Sequence, residues 1–128
     1  GCTDPNALNY DLEATADDGS CNFQAEEIQG TYSVNGFAVD QTFGDTTVQN
    51  YTMIIAHLGG TNVSISNLGN TGYTFNGSVY NNQLGIPSQV KNIVENYQGI
   101  GIISGTSISM QYTESFDDIF YSETAVKQ

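Results

Sequence analysis

The chain has 128 residues, which fits one domain of ordinary size with a small appendage. Its formal net charge is -12, made by 14 acidic residues against Lys91 and Lys127 alone. That balance excludes nucleic acid and anionic membrane surfaces as partners, because both require a basic footprint.

Residues 1–23 have no regular periodicity and are dense in Asp, Asn, Gly and Pro, which make turns through their own side chains or through unusual φ values. Cys2 and Cys21 are the only cysteines and fence off this stretch. Such a pair around a loop too small for its own core suggests a disulfide and an oxidising compartment, with two free thiols as the alternative. A zinc site is disfavoured, since no further Cys or nearby His completes a ligand set. Asp4, Asn6, Asn9, Asp11, Asp17 and Asp18 supply the hard oxygen ligands that calcium requires, and Gly19 allows a tight turn beside them. The spacing is not that of an EF-hand. The competing expectation is that these side chains only cap local turns.

Residues 24–29 read as a linker, with a short helical turn at most. From Gly30 the pattern changes to short runs rich in Thr, Val, Ile and Tyr, split by Gly and Asn. "GTYSVNG" places Tyr32 and Val34 on one face. "VQNYTMIIAHL" sets Met53 and Ile55 against Ile54, Ala56 and Leu58, so cover on both sides is expected over part of it. The apolar run "MIIAHL" within it is the longest in the chain and falls far short of the ~18 residues of a membrane-spanning helix.

"NVSISNL" turns Val63 and Ile65 inward. "GYTFNGSVY" does the same with Tyr73, Phe75 and Val79, and Asn81–Asn82 turn the chain into "QLGIP". In "GIPSQVKNIVENYQGIG" the spacing of Val90, Ile93, Val94 and Tyr97 fits one or two helical turns after Pro87. A strand over 90–94 is the other reading. "YQGIGIIS" and "SISMQYT" follow, joined at Gly105, with Ile108, Met110 and Tyr112 on one face, and "DIFYSETAV" ends the pattern.

Seven or eight short strands, each with one apolar and one polar face, predict an all-β antiparallel fold over residues 30–128. Closing an up-and-down barrel removes the two edges of such a meander, so a barrel is preferred over a β-sandwich. Tyr32, Tyr73, Phe75, Met110, Tyr112 and Tyr121 are expected inside, with His57 near a rim, as either the lining of a ligand site or a plain core. Side chains of that size predict a small cavity or none.

His57 is the only histidine, and no nucleophile is visibly paired with it, so no enzymatic activity is expected. Asp117 and Asp118 are adjacent and would point apart on a strand, which does not suit paired-carboxylate chemistry. The triplets at 50–52, 62–64 and 76–78 match glycosylation acceptors and read equally well as polar strand faces.

The segment Gly1-Cys2-Thr3-Asp4-Pro5, with Ala7, Asn9 and Tyr10, leading to Ala14-Thr15 and Asp17-Asp18-Gly19-Ser20-Cys21, resembles a repeat of exported Bacteroidota proteins that is itself loosely thrombospondin-type-3-like. This resemblance implies a secreted or lipid-anchored envelope protein whose lipidated cysteine lies upstream of Gly1, with Cys2 as a disulfide partner and the acidic loop as a calcium binder. Gly30-Thr31-Tyr32 and the stretch "ISGTSISMQYT" at 103–113 are similar in style to lipocalin-like domains, with Tyr32 where a tryptophan is usual. That likeness implies an eight-stranded barrel. The functional expectation is a non-catalytic extracellular binding or accessory domain holding a small molecule. The alternative is a structural or adhesive surface domain with a solid core that meets a surface partner.

Overall fold

In the computed structural model, which describes residues 1–128, strand alternation closes into a ring. The strands are β1 (Gly30–Asp40), β2 (Thr46–Gly59), β3 (Asn62–Ser66), β4 (Thr74–Tyr80), β5 (Gln83–Lys91), β6 (Glu95–Ser104), β7 (Ser107–Glu114) and β8 (Ile119–Lys127). Each pairs antiparallel with its sequence neighbours, and β8 returns to pair with β1 from Tyr32↔Lys127 to Asp40↔Ile119. That last ladder decides for the up-and-down barrel over the sandwich, because it leaves no unpaired edge.

Inward positions carry the core. Tyr32, Val34, Met53, Ile55, Ile65, Phe75, Leu84, Ile108, Met110 and Tyr112 are all within 1% of complete burial. Each large apolar side chain so removed from water contributes roughly 1.5–3 kcal/mol before its entropy cost is counted. Two inward glycines let strands approach where the wall bends. A Cβ at Gly36 would strike the backbone of Ser122 and Glu123, and one at Gly99 would strike the Gln111 carbonyl and Tyr112.

Both ends of the ring are stoppered. At the end where β1 begins, a short helix α1 (Gln24–Glu27) runs across the opening and buries Ala25, with Ile28 just after it. The Tyr32 hydroxyl fixes this cap by donating to the Ile28 carbonyl at 2.5 Å. At the opposite end, a 3-10 turn (Leu68–Asn70) between β3 and β4 drops the fully buried Leu68 into the mouth.

Two sequence expectations are corrected. The outer face of β2 is not covered: Ile54 and Leu58 are 49% and 60% exposed, and only Ala56 is half-buried. A closed single-layer barrel gives an outward side chain no second layer to pack on. The segment 87–97 is neither helix nor a strand over 90–94. β5 continues through a register irregularity between Ile86 and Gln89 to Lys91, and residues 92–94 then form a turn into β6. Pro87 lies inside that irregularity, and Asn92 and Ile93 both adopt left-handed φ, 49° and 72°. Val90, Ile93 and Val94 are therefore exposed and only Tyr97 is buried, so the helical spacing had no surface to bury itself against.

Candidate functional site

The acidic loop is closed by a disulfide between Cys2 and Cys21, whose Cα atoms lie 4.9 Å apart. The Leu8 amide donates to Asn22 O at 2.6 Å and the Asp11 amide to Cys2 O at 2.8 Å, which folds the loop on itself. Four of its aspartates do the same local work. Asp4 accepts the Asn6 amide, Asp11 the Glu13 amide, Asp17 the Gly19 amide and Asp18 the Ser20 amide, each between 2.9 and 3.1 Å. These are Asx turns. Bonds from Ser20 hold the Asp18 carboxyl below the ordinary aspartate range. Asn9 spans the loop instead, donating to Ser20 O at 2.5 Å and accepting the Asn22 amide at 2.8 Å. The Asn6 side chain makes no hydrogen bond within the chain, and no three His, Cys, Asp or Glu side chains converge as a metal-holding group. Here the four aspartates serve as acceptors for local turns.

Inside the barrel the expected residues are where alternation places them. Tyr32, Phe75, Met110, Tyr112 and Tyr121 are buried, while His57 and Tyr73 are half-buried toward the ends. All but His57 pack together as a core and do not line a lumen. Phe75 and Tyr97 meet edge to face at 5.0 Å, Tyr112 and Tyr121 stack at 4.5 Å, and Lys91 Nζ lies 5.2 Å from the Phe75 ring centre. The His57 ring nitrogen pairs with the Gly60 carbonyl at 2.9 Å and so belongs to the β2–β3 turn.

Two buried carboxylates are the polar centre of this core, and neither was singled out from the sequence. Glu114, 1% exposed, accepts the amides of Phe116 and Asp117 and so closes the β7–β8 turn. Glu123, 3% exposed, accepts hydroxyl protons from Tyr51 at 2.8 Å and from Tyr112, both at Oε1. Its Oε2 is buried without a partner. The Tyr51 oxygen in turn accepts the Gly69 amide at 2.9 Å, which links Glu123 to the turn that stoppers the mouth.

Burial pushes both glutamates above their ordinary pKa, opposed at Glu114 by its two amides and at Glu123 by its two phenols. Burial likewise raises the phenols of Tyr51, Tyr97 and Tyr112 far out of the accessible range and that of Tyr121 to about 12. Tyr51, Tyr97 and Tyr112 act as neutral donors, to Glu123, Glu95 and Glu123 in turn. The signal for the glutamates was present in the alternation: Glu114 continues the Ile108, Met110, Tyr112 face, and Glu123 lies between Tyr121 and Ala125.

Two surface clefts remain, both at the α1 end. One, of about 260 Å³, is lined by Gln24, Glu27, Tyr32, Asn82, Thr106 and Lys127 among others. The second, of about 270 Å³, lies between the acidic loop at Pro5–Leu8 and the β4–β5 turn at Tyr80–Asn82. A reciprocal amide pair separates them: Gln24 donates to the Asn82 side chain and accepts its backbone amide, both at 2.9 Å. No helix is long and apolar enough to cross a membrane. Comparison with protein families, curated proteins and solved structures finds no match for the chain.

Proposed function

We propose that this chain is a non-catalytic binding or accessory domain of an exported bacterial envelope protein, secreted or lipid-anchored upstream of Gly1, and that it meets its partner with its outer surface. One observation carries this reading: the barrel interior is filled by its own side chains and stoppered by Leu68 at one end and by Ala25 and Ile28 at the other. Tyr97, Tyr112, Tyr121 and the two raised glutamates are buried, and neither surface cleft is lined by them. This favours the solid-cored adhesive or structural alternative over a lumen that carries a small molecule.

Calcium belongs to the proposal through the loop motif alone, since the turn amides occupy one oxygen of each of Asp4, Asp11, Asp17 and Asp18 and the carboxylates would have to be drawn together round an ion. A second reading has one observation behind it. The cleft beside Lys127 is just below the range of about 300–1,000 Å³ typical of ligand sites and holds both a cation and polar amides, which suits a small polar molecule.

The test is titration with a fluorescent fatty acid, together with native mass spectrometry of the purified protein. The expected result is no saturable uptake and no co-purifying small molecule. A stoichiometric apolar ligand would overturn the reading.

A further inference from the structure

The outer wall formed by β8, β1 and β2 carries an apolar surface that nothing in the fold covers. Phe37 and Val48, both exposed, are direct cross-strand partners on the outside, and Val39 and Phe120 form a second such pair that is half-buried. Two loop tips at the upper end of this wall add Phe43 and Phe116, 78% and 63% exposed. The loops are tied to each other by the Gln41 amide, which donates to the Asp118 carbonyl at 2.9 Å. Each is also held internally: Asp40 accepts the amides of Thr42 and Phe43, and Glu114 those of Phe116 and Asp117. The aromatic side chains are thus displayed on hydrogen-bonded turns. Display of this kind at one end of a domain marks an interaction surface.

Charge selects the occupant. The same two loops contain Asp40, Asp45, Asp117 and Asp118, and the only cations of the chain are Lys91 and Lys127. A second copy would bring two acidic rims together, and an anionic bilayer would be repelled. Because the ring has no open edge, a partner cannot add a strand and must engage side chains.

We propose, on the reading above that the domain acts through its exterior, that this face docks a basic amphipathic segment of a partner protein. Its apolar side chains would seat on Phe37, Phe43 and Phe116, and its Lys or Arg residues would meet Asp45, Asp117 and Asp118.

The probe is a labelled Leu/Lys amphipathic peptide titrated against the whole chain, beside a charge-matched Ser/Lys peptide and neutral phosphatidylcholine vesicles. The Leu/Lys peptide should bind at least about tenfold more tightly than the Ser/Lys peptide, and Phe43→Ser with Phe116→Ser should remove about tenfold of that affinity, as loss of buried aromatic surface predicts. Asp117→Asn should weaken binding and lessen its salt dependence. Both phenylalanines are largely in water, so the variants should fold, and circular dichroism checks this. Equal binding of the two peptides, or no effect of the phenylalanine changes, overturns the proposal. Vesicle binding that depends on the phenylalanines overturns it in favour of lipid. Those failures leave the filled-barrel reading intact, because only uptake of the fatty acid contradicts that.

Discussion

Tyr51 on β2 donates its phenolic proton to Glu123 on β8 across the inside of the barrel, 2.8 Å from oxygen to oxygen, while the other Glu123 oxygen is buried with no partner. Because the Tyr51 oxygen also accepts the Gly69 amide, the stopper turn, the wall and the buried acid form one hydrogen-bonded unit. Tyr51→Phe is expected to cost about 1–3 kcal/mol, by orphaning the Gly69 amide and removing one donor from Glu123. Denaturant unfolding measures this, and a neutral result would show that the unit does not contribute to stability.

The same carboxyl sets a pH dependence. Burial raises its native pKa, so the folded chain holds the proton more tightly than the unfolded chain. Its contribution is fully present below the ordinary glutamate pKa and is lost as pH rises through the raised native value. Glu114 is shifted the same way and adds the same slope. In unfolding series across mildly acidic to neutral pH, Glu123→Gln should remove its share of the slope. The readout is the slope, and an unchanged slope in the variant contradicts the assignment.

Gly99 on β6 pairs with Tyr112 on β7, and a side chain there meets backbone that cannot rotate away. Gly99→Ala should destabilise the barrel by about 1–3 kcal/mol, the cost of an overpacked core. Gly85→Ala is the control, because its nearest neighbour would be the Ser78 hydroxyl at 3.3 Å, and a change within ~0.5 kcal/mol is expected. Equal effects of the two would mean that wall curvature does not depend on Gly99.

Ile93 is a β-branched residue held at φ 72° and 92% exposed. The left-handed region costs such a side chain roughly 1–2 kcal/mol, and no core contact repays it. Ile93→Gly should raise the unfolding free energy by up to ~1 kcal/mol, after the extra freedom glycine gains in the unfolded chain is subtracted. A lower unfolding midpoint would mean that the exposed isoleucine makes contacts in solution.

Reduction of the Cys2–Cys21 bond should loosen residues 1–22 and leave the barrel folded. The loop is held otherwise by hydrogen bonds within itself, such as Leu8 to Asn22 and Asp11 to Cys2, whereas the ring closes through its own ladders. Hydrogen exchange at the Leu8 and Asp11 amides should speed up on reduction while strand amides stay protected. Loss of protection in the strands would show that the loop and barrel fold as one unit.

Calcium titration of chelator-stripped protein addresses the loop directly. Binding is expected on the order of 1 mM, the weak end for extracellular modules, with shifts at the Gly19 and Ser20 amides, which donate to Asp17 and Asp18. Heat indistinguishable from buffer, with those amides unmoved, would assign the aspartates to turn capping alone.

What the sequence by itself determined was which way each side chain points and where the chain turns. Alternation put Tyr32, Phe75, Met110 and Tyr112 inward, Asn81–Asn82 formed their left-handed turn, and the cysteine pair marked a loop that could not stand alone. Where no alternation runs, at 87–94, the apolar spacing misled, because Pro87 and two left-handed residues set the path there. Only the tertiary structure decided how deep each inward residue lies. Glu114 and Glu123 alternate as cleanly as their neighbours, yet their burial depends on the β8–β1 closure and on Leu68 filling the mouth, contacts between residues far apart in the chain. The same long-range packing decided that the interior is a core and not a cavity: period-two patterning specifies a face, while the volume behind that face is set by the ring and its stoppers together.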